Sequence, residues 1–316
     1  MKGIIDAHCD VLSKLMMNPA LDFSLDDSGL DVTLPKLRQA GVAMQCFAVW
    51  IPEPVNDPGM KHLLTGVELF WDRIVGQAGM KAIRTAEDLS SGTDNGQQCA
   101  LLTVEGADAL NGSMDHLRTL FQLGVRCLGI TWNYANWAAD GVAEPRKGGL
   151  TLKGRQLVKE CNNLGMIMDI SHLAERSFWE LDELSSRPYI ASHSNVLELC
   201  GHPRNLNKRQ IERISERGGV IGINFFPPFV STETEATIDH VIRHIDTVCE
   251  WGGERSVALG SDFDGISKKV KGLEDPSGYA RLGEALAKRF SNEQVERICV
   301  RNWYEFFVTQ LPKSEC

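Results

Sequence analysis

Short apolar runs of strand length recur along the whole chain with segments of helical spacing and charge between them, and this alternation constrains the fold more than any single motif. The runs occupy residues 3–9, 42–51, 99–104, 127–132, 166–170, 189–192, 220–226 and 257–260. The helical segments include 34–40, 63–78, 114–124, 152–163, 174–184, 208–217 and 238–251. Near-continuous apolar strands separated by amphipathic helices predict a parallel sheet covered by helices. Gly41, Gly124, Gly165 and the pair Gly218-Gly219 each follow a predicted helix, as a C-terminal stop would. Eight strand–loop–helix units match a closed barrel of roughly 250 residues, whereas an open doubly wound sheet normally carries a glycine-rich phosphate loop after its first strand. No such loop follows the first run. Segments 280–290 and 292–307 read as closing helices, the second with Ser291 as its N-cap. The expected fold is α/β, a single-domain (β/α)8 TIM barrel with C-terminal closing helices, one unit over residues 1–316.

Composition narrows the partners. A formal charge of -9 argues against nucleic acid and anionic membrane surfaces and leaves small molecules. The nine cysteines are scattered without a Cys-x-x-Cys pair, which points to reduced thiols rather than a disulfide framework or a thiolate zinc site. The N-terminus lacks a signal-peptide pattern, and no apolar stretch approaches the roughly 20 residues of a membrane span. The chain is therefore expected to be soluble and cytoplasmic.

In a parallel barrel, reactive groups gather at the C-terminal ends of the strands. The first run ends in His8 and Asp10, which alternation puts on one face with Cys9 on the other. The third ends in Glu105-Gly106, the fifth in Asp169-Ile170-Ser171-His172, the sixth in His193-Ser194-Asn195 and the eighth in Asp262-Phe263-Asp264-Gly265. A lone His-x-Asp triplet is a chance-level motif. Metal-competent groups at five of the eight strand ends are not. Three imidazoles and two or three carboxylates at one mouth would saturate two divalent ions, one carboxylate bridging, and nitrogen and oxygen donors without thiolate favour zinc or manganese.

The remaining histidines read differently. His62 and His116 fall in polar helical segments, and His202 lies in a loop where it either lines a pocket or is exposed. His240 and His244 stand at i and i+4 without the glutamate that a zinc-protease helix requires, and are expected to form a solvated or interfacial pair. No nucleophile constellation competes: Gly260-Ser261-Asp262 lacks the Gly-x-Ser-x-Gly elbow, and Cys99 and Cys127 read as core residues.

Taken in order, Asp6-Ala7-His8-Cys9-Asp10, Val104-Glu105-Gly106, Asp169-Ile170-Ser171-His172, Ser192-His193-Ser194, Pro203-Arg204-Asn205, Gly260-Ser261-Asp262-Phe263-Asp264-Gly265 and Gly272-Leu273-Glu274-Asp275 resemble the motifs of the membrane dipeptidase family, a branch of the amidohydrolase-like metal-dependent barrels. The resemblance implies two divalent ions, zinc by expectation: His8, Asp10 and Glu105 on one, Glu105, His172 and His193 on the other, with Arg204 and Asp262 facing substrate. It also implies a homodimer as a common state. One position departs from the pattern. Where the family commonly carries a substrate-contacting histidine after the fourth strand, Ile130-Thr131-Trp132-Asn133 places Trp132. Trp132 cannot act as a base; either its indole N–H, Asn133 or Tyr134 donates to substrate, or Trp132 simply packs at the rim.

The expected activity is hydrolysis of the amide bond of small dipeptides by a metal-bridging hydroxide, with acceptance of a C-terminal D-residue left open. Glu105 and Asp262 are the expected catalytic groups, Asp262 taking the proton from water and passing it to the leaving amine, a role worth roughly 100- to 10,000-fold in rate. Arg204 would hold the terminal carboxylate, with Trp132 and Asn133 beside the substrate. Two other readings stand open. One is another barrel hydrolase acting on a lactone, cyclic amide or phosphoester, although the fourth run lacks the bridging lysine usual there; the other is a non-catalytic metal-binding barrel.

Overall fold

Eight parallel strands form one curled sheet in the computed structural model, which describes residues 3–52 and 58–313. They are β1 (Ile4–Asp6), β2 (Val42–Trp50), β3 (Lys81–Ala82), β4 (Cys99–Glu105), β5 (Val125–Gly129), β6 (Ile167–Asp169), β7 (Ile221–Ile223) and β8 (Val257–Leu259). Their order is β6-β5-β4-β2-β1-β8-β7, with β3 beside β4. β4 pairs along its whole length with β2, while its other edge is shared: β3 covers Cys99 and Ala100, and β5 takes over from Leu102. β3 is too short to leave an apolar pattern in the sequence, and it was not expected.

The run expected as a strand at 189–192 contributes only two parallel bridges, Asp169 with Ile190 and Ala191 with Ile221, which link β6 to β7. The reason is local. Ser192 N turns to donate to Asp169 Oδ1 at 2.9 Å, so the ladder stops after two residues.

All seven predicted helical segments are helical, as Leu34–Gln39, Met60–Leu69 with a π-helical continuation Phe70–Gln77, Met114–Gln122, Leu152–Leu164, Glu175–Leu184, Lys208–Glu216 and Ile238–Gly252. Thr33, Ser113, Thr151 and Asn207 cap their helices by accepting a bond from the amide three residues on. The closing segments are Tyr279–Leu286, Asn292–Glu296 with Ser291 as its cap, and Asn302–Gln310. The last helix is tied to β8: Trp303 Nε1 donates to Leu259 O at 2.9 Å and Asn302 Nδ2 to Val257 O at 2.7 Å. Trp303, Phe306 and Phe307 pack with Ile5, Met44, Cys46, Leu101 and Cys127. Cys9, Phe47, Val49 and Val104 belong to a larger apolar layer with Leu117, Leu157, Ile211 and Val241 of the covering helices. The eight described cysteines are unpaired, six of them buried, and Cys316 lies outside the described residues. Among the described residues no helix is long and apolar enough to cross a membrane.

His240 and His244 are not a solvated pair. His240 serves the capping box of Ile238–Gly252, its Nδ1 accepting from Thr237 N at 3.2 Å. His244 is buried, accepting from Val196 N on Nδ1 at 3.1 Å and donating from Nε2 to Val230 O at 2.9 Å. One neutral imidazole thus satisfies two backbone groups on distant segments that the helix spacing could not reveal.

Burial lowers the His244 pKa to about 4. Between that value and the unfolded value near 6.5 the unfolded chain binds the extra proton, so this contribution to stability is present above about pH 6.5 and is lost as pH falls toward about 4. His244→Leu is expected to lower stability at pH 7 by about 1–3 kcal/mol through the two unpaired backbone groups. It is also expected to flatten the decline between pH 7 and pH 5. Denaturant unfolding at the two pH values tests this, and an unchanged pH slope in the variant would rule out His244 as the source.

Candidate active site

Beyond β1 the chain runs on beside the end of β8: Asp262 N donates to His8 O at 3.2 Å and Asp10 N to Phe263 O at 2.9 Å. His8, Asp10 and Asp262 are thereby brought to one rim. His172, Asp262 and Asp264 have φ of 68°, 67° and 68°, left-handed values that cost a non-glycine residue on the order of 1 kcal/mol or more. Side-chain bonds hold them there. Asp264 accepts from Asp31 N at 2.7 Å, Val32 N at 2.9 Å and Lys14 Nζ at 2.9 Å, and Asp262 Oδ2 accepts from Asn224 Nδ2 at 2.8 Å.

All of the predicted metal-type residues meet. His8 Nε2 is 3.3 Å from Asp10 Oδ2, 3.6 Å from Glu105 Oε2 and 3.8 Å from Asp262 Oδ1. His172 Nε2 is 2.9 Å and His193 Nε2 3.5 Å from Glu105 Oε1. The His8 and His193 rings stack at 3.8 Å. Three triplets bring their donor atoms within 4.8 Å of one another: His8, Asp10 and Glu105; Glu105, His172 and His193; and His8, His193 and Asp262. The first two share Glu105.

Hydrogen bonds around the cluster assign its tautomers. His172 Nδ1 lies 2.8 Å from Asn133 Oδ1, an acceptor, so Nδ1 carries the proton. His193 Nδ1 lies 2.7 Å from Ser192 Oγ, whose own proton goes to Asp169 Oδ2, so here too Nδ1 is the donor. Both Nε2 atoms therefore present lone pairs, 3.1 Å apart, beside Glu105 Oε1, which is buried with no hydrogen-bond partner among the described residues. Lone pairs crowded in this way repel unless a cation lies among them, and imidazole nitrogens oriented by carboxylate or amide partners are the usual form of a metal ligand. The donor set fits a divalent ion.

The titration of these groups has the same origin. Burial raises Asp10 and Glu105, and it lifts Asp262 to about 7, with Asp10 and Glu105 adding to it against His8. Burial opposes a charge on His8, yet Glu105, Asp10 and Asp262 hold its pKa up to about 10. His172 and His193 are pushed well below the usual imidazole range by burial, with His8 and Arg204 adding to it. Without a metal ion, the carboxylate charge is offset in part by protonated His8, and the raised carboxyl of Asp262 holds a proton near neutral pH.

The cluster opens into a cavity of about 380 Å³ lined by Asp10, Glu105, Trp132, Asn133, His172 and Asp262 among others. Asn133 spends its Oδ1 on His172, so it orients that ring. Trp132 faces the cavity with no hydrogen-bond partner among the described residues. Arg204 is buried; Nη1 donates to Ser194 Oγ at 2.8 Å and Nη2 to His193 O at 2.9 Å, while Nε has no partner and no carboxylate pairs with it among the described residues. Burial lowers its pKa to about 10.

The sequence reading assigned no role to Asp6, Asp169, Ser192, Asn224 or Trp50. Asp6 accepts from Ser261 N at 2.8 Å, Ser261 Oγ at 2.6 Å and Tyr279 Oη at 2.8 Å, tying β1 to the segment that carries Asp262. Asp6, Asp169 and Ser192 lie inside the quoted motifs, so proximity in sequence to the ligand-type residues was the available signal. Asn224 and Trp50 gave none beyond standing at strand ends.

The family model of membrane dipeptidases, peptidase family M19, matches residues 2–309. An uncharacterised dipeptidase of Schizosaccharomyces pombe is 38% identical over 314 residues, covering 90% of this chain and 75% of that protein. Among solved structures, the metallopeptidase "dipeptidase AC" of family M19 superposes with a TM-score of 0.89 at 30% identity, over 99% of both chains. A metallopeptidase of Rhodobacter sphaeroides, bound to a phosphinate mimic of the dipeptide L-Ala-D-Ala, does so at 0.88 and 29%, over 98% of this chain and 99% of that one. The expected family and activity are borne out: the chain is a metallo-dipeptidase and belongs to the membrane dipeptidase family.

Proposed function

We propose that this dipeptidase works with two divalent ions, zinc by its donor chemistry, held by His8, Asp10 and Glu105 and by Glu105, His172 and His193. The observation that carries this reading is the convergence of two unprotonated imidazole nitrogens on the orphan oxygen of Glu105. We further propose that residues 1–316 form one domain, a closed (β/α)8 TIM barrel. The bridges at Ile190 and Ala191 between β6 and β7 support closure.

Ions held there would supply a nucleophilic water near neutral pH and polarise the scissile carbonyl. The remaining work falls to side chains. Arg204, a buried guanidinium without a carboxylate partner among the described residues, takes the terminal carboxylate of the dipeptide. Asp262 is fixed through Oδ2 by Asn224, and its Oδ1 turns toward the His8 side of the cluster. From there it accepts the proton of the attacking water and returns it to the leaving amine. The unpartnered indole N–H of Trp132 is available to a substrate oxygen, the part a histidine plays elsewhere in the family. The ligand of the Rhodobacter sphaeroides relative supports acceptance of a C-terminal D-residue.

Arg204→Met is expected to raise KM for free-acid dipeptides about tenfold or more, with a smaller effect on the corresponding dipeptide amides. Equal effects on acid and amide would remove Arg204 from carboxylate binding. Glu105→Gln is expected to bind fewer than two ions per chain by metal analysis and to lose about 100-fold or more in kcat. Two ions with full activity would falsify its shared position. At Gly265 an added Cβ would stand 2.2 Å from Asp10 Oδ2 and 2.7 Å from Asp262 Oδ1. Gly265→Ala should therefore lower metal content and activity while leaving the circular dichroism spectrum unchanged. Retention of both zinc and activity would show that the carboxylates yield to the methyl group.

A further inference from the structure

The mouth cavity has two aromatic walls, of which the proposed hydrolytic chemistry uses only the indole N–H of Trp132. On one side Trp50, at the end of β2, and Trp132, beyond β5, have ring centroids 5.0 Å apart. On the other, Phe226 and Phe229 meet edge to face at 4.9 Å, and the Arg204 guanidinium lies 5.9 Å from the Phe229 ring. All four aromatic residues line the cavity that holds Asp10, Glu105 and Asp262. Trp50 is anchored through its backbone, its N–H and C=O each 3.1 Å from Ser13 Oγ, which in turn lies 3.5 Å from Asp10 Oδ1. Among the described residues its buried indole N–H has no acceptor and Trp132 makes no side-chain hydrogen bond. Neither ring is held by a side-chain hydrogen bond to a described residue.

The two walls divide by their neighbours. Arg204 adjoins Phe229, so a carboxylate held by Arg204 places the C-terminal residue of the dipeptide at the phenylalanine wall. Trp50 and Trp132 adjoin Glu105, with which they also line the neighbouring cavity of about 250 Å³. With the carboxylate at Arg204, this is the end left for the N-terminal residue. We infer that Trp50 and Trp132 form the subsite for the N-terminal side chain and select dipeptides whose first residue is aromatic or large aliphatic. The assignment rests on the dipeptidase reading with Arg204 as the carboxylate anchor. A phenyl or isobutyl group removes apolar surface from water against both indoles, a methyl group covers little of it, and a carboxylate would be desolvated there without a partner.

The test is a comparison of kcat/KM for Phe-Ala, Leu-Ala, Ala-Ala and Asp-Ala, with Ala-Phe as the reversed control, on the zinc-loaded full chain. Phe-Ala and Leu-Ala are expected to exceed Ala-Ala by about tenfold or more, with Asp-Ala below it. Trp50→Ala should cut the Phe-Ala to Ala-Ala ratio about tenfold, and Trp50→Phe should keep it within about threefold. Because the readout is a ratio within one preparation, partial loss of folded enzyme does not alter it. A wild-type ratio near one, an unchanged ratio in Trp50→Ala, or a change confined to Ala-Phe would overturn the subsite. Failure of the wild type to hydrolyse any dipeptide would instead overturn the reading beneath it, and the subsite with it.

Discussion

The crowding of unshared electron pairs around Glu105 is the constraint on which the rest of the site depends. His172 Nε2, His193 Nε2 and Glu105 Oε1 lie within 2.9 to 3.5 Å of one another, in a place with almost no water to separate them. Left to themselves such groups would rotate apart. Each imidazole is prevented from doing so by a bond at its far end, to Asn133 for His172 and to Ser192 for His193. The neutral partners fix direction without adding positive charge, which keeps the nitrogens free for a cation.

The same device appears twice at the strand ends. Asp6 accepts from both the amide and the hydroxyl of Ser261, the residue before Asp262. Asp169 accepts from the amide and hydroxyl of Ser192, the residue before His193. In each case a buried carboxylate on one strand end grips a serine on the next, and the serine delivers the reactive residue beside it. Neither carboxylate belongs to the donor cluster, although by residue type both are metal-competent. Their lone pairs are already engaged by protein donors, and this separates a framework aspartate from a ligand-type one.

That distinction marks the limit of what was legible in the sequence. Period and chemical type were sufficient for the parallel α/β order, for all seven helical segments and for the convergence of His8, Asp10, Glu105, His172, His193 and Asp262, because strand ends in a curled parallel sheet share one rim. Contacts between distant segments were not legible. His244 reads from the sequence as part of a solvated or interfacial pair because its partners, Val196 and Val230, lie on distant segments. Asn133 lines the cavity, but the bond of its amide oxygen to His172 spans 39 residues and leaves no mark in the sequence. The two-residue pairing at Ile190 and Ala191 looked like a full strand because apolar character records burial, whereas the length of a ladder is set by where side chains such as Asp169 capture the backbone.

Charge is distributed so that the two ends of a zwitterionic dipeptide meet different surroundings. Asp10, Glu105 and Asp262 cluster on one side, Asp10 buried and the other two nearly so, while Arg204 is a buried cation with no carboxylate partner among the described residues. An unpaired buried guanidinium is unfavourable in the free protein, and a well-packed apolar residue would serve stability better. Its retention makes sense under the proposed role, in which the missing anion arrives with the substrate. The selection then follows from length. A dipeptide brings its carboxylate to Arg204 with the scissile amide one residue away, whereas each further residue moves that carboxylate by roughly 3.3 to 3.6 Å, beyond hydrogen-bond reach. Discrimination against longer peptides therefore requires no steric barrier, because the desolvated guanidinium is left unpaired by any substrate of the wrong length.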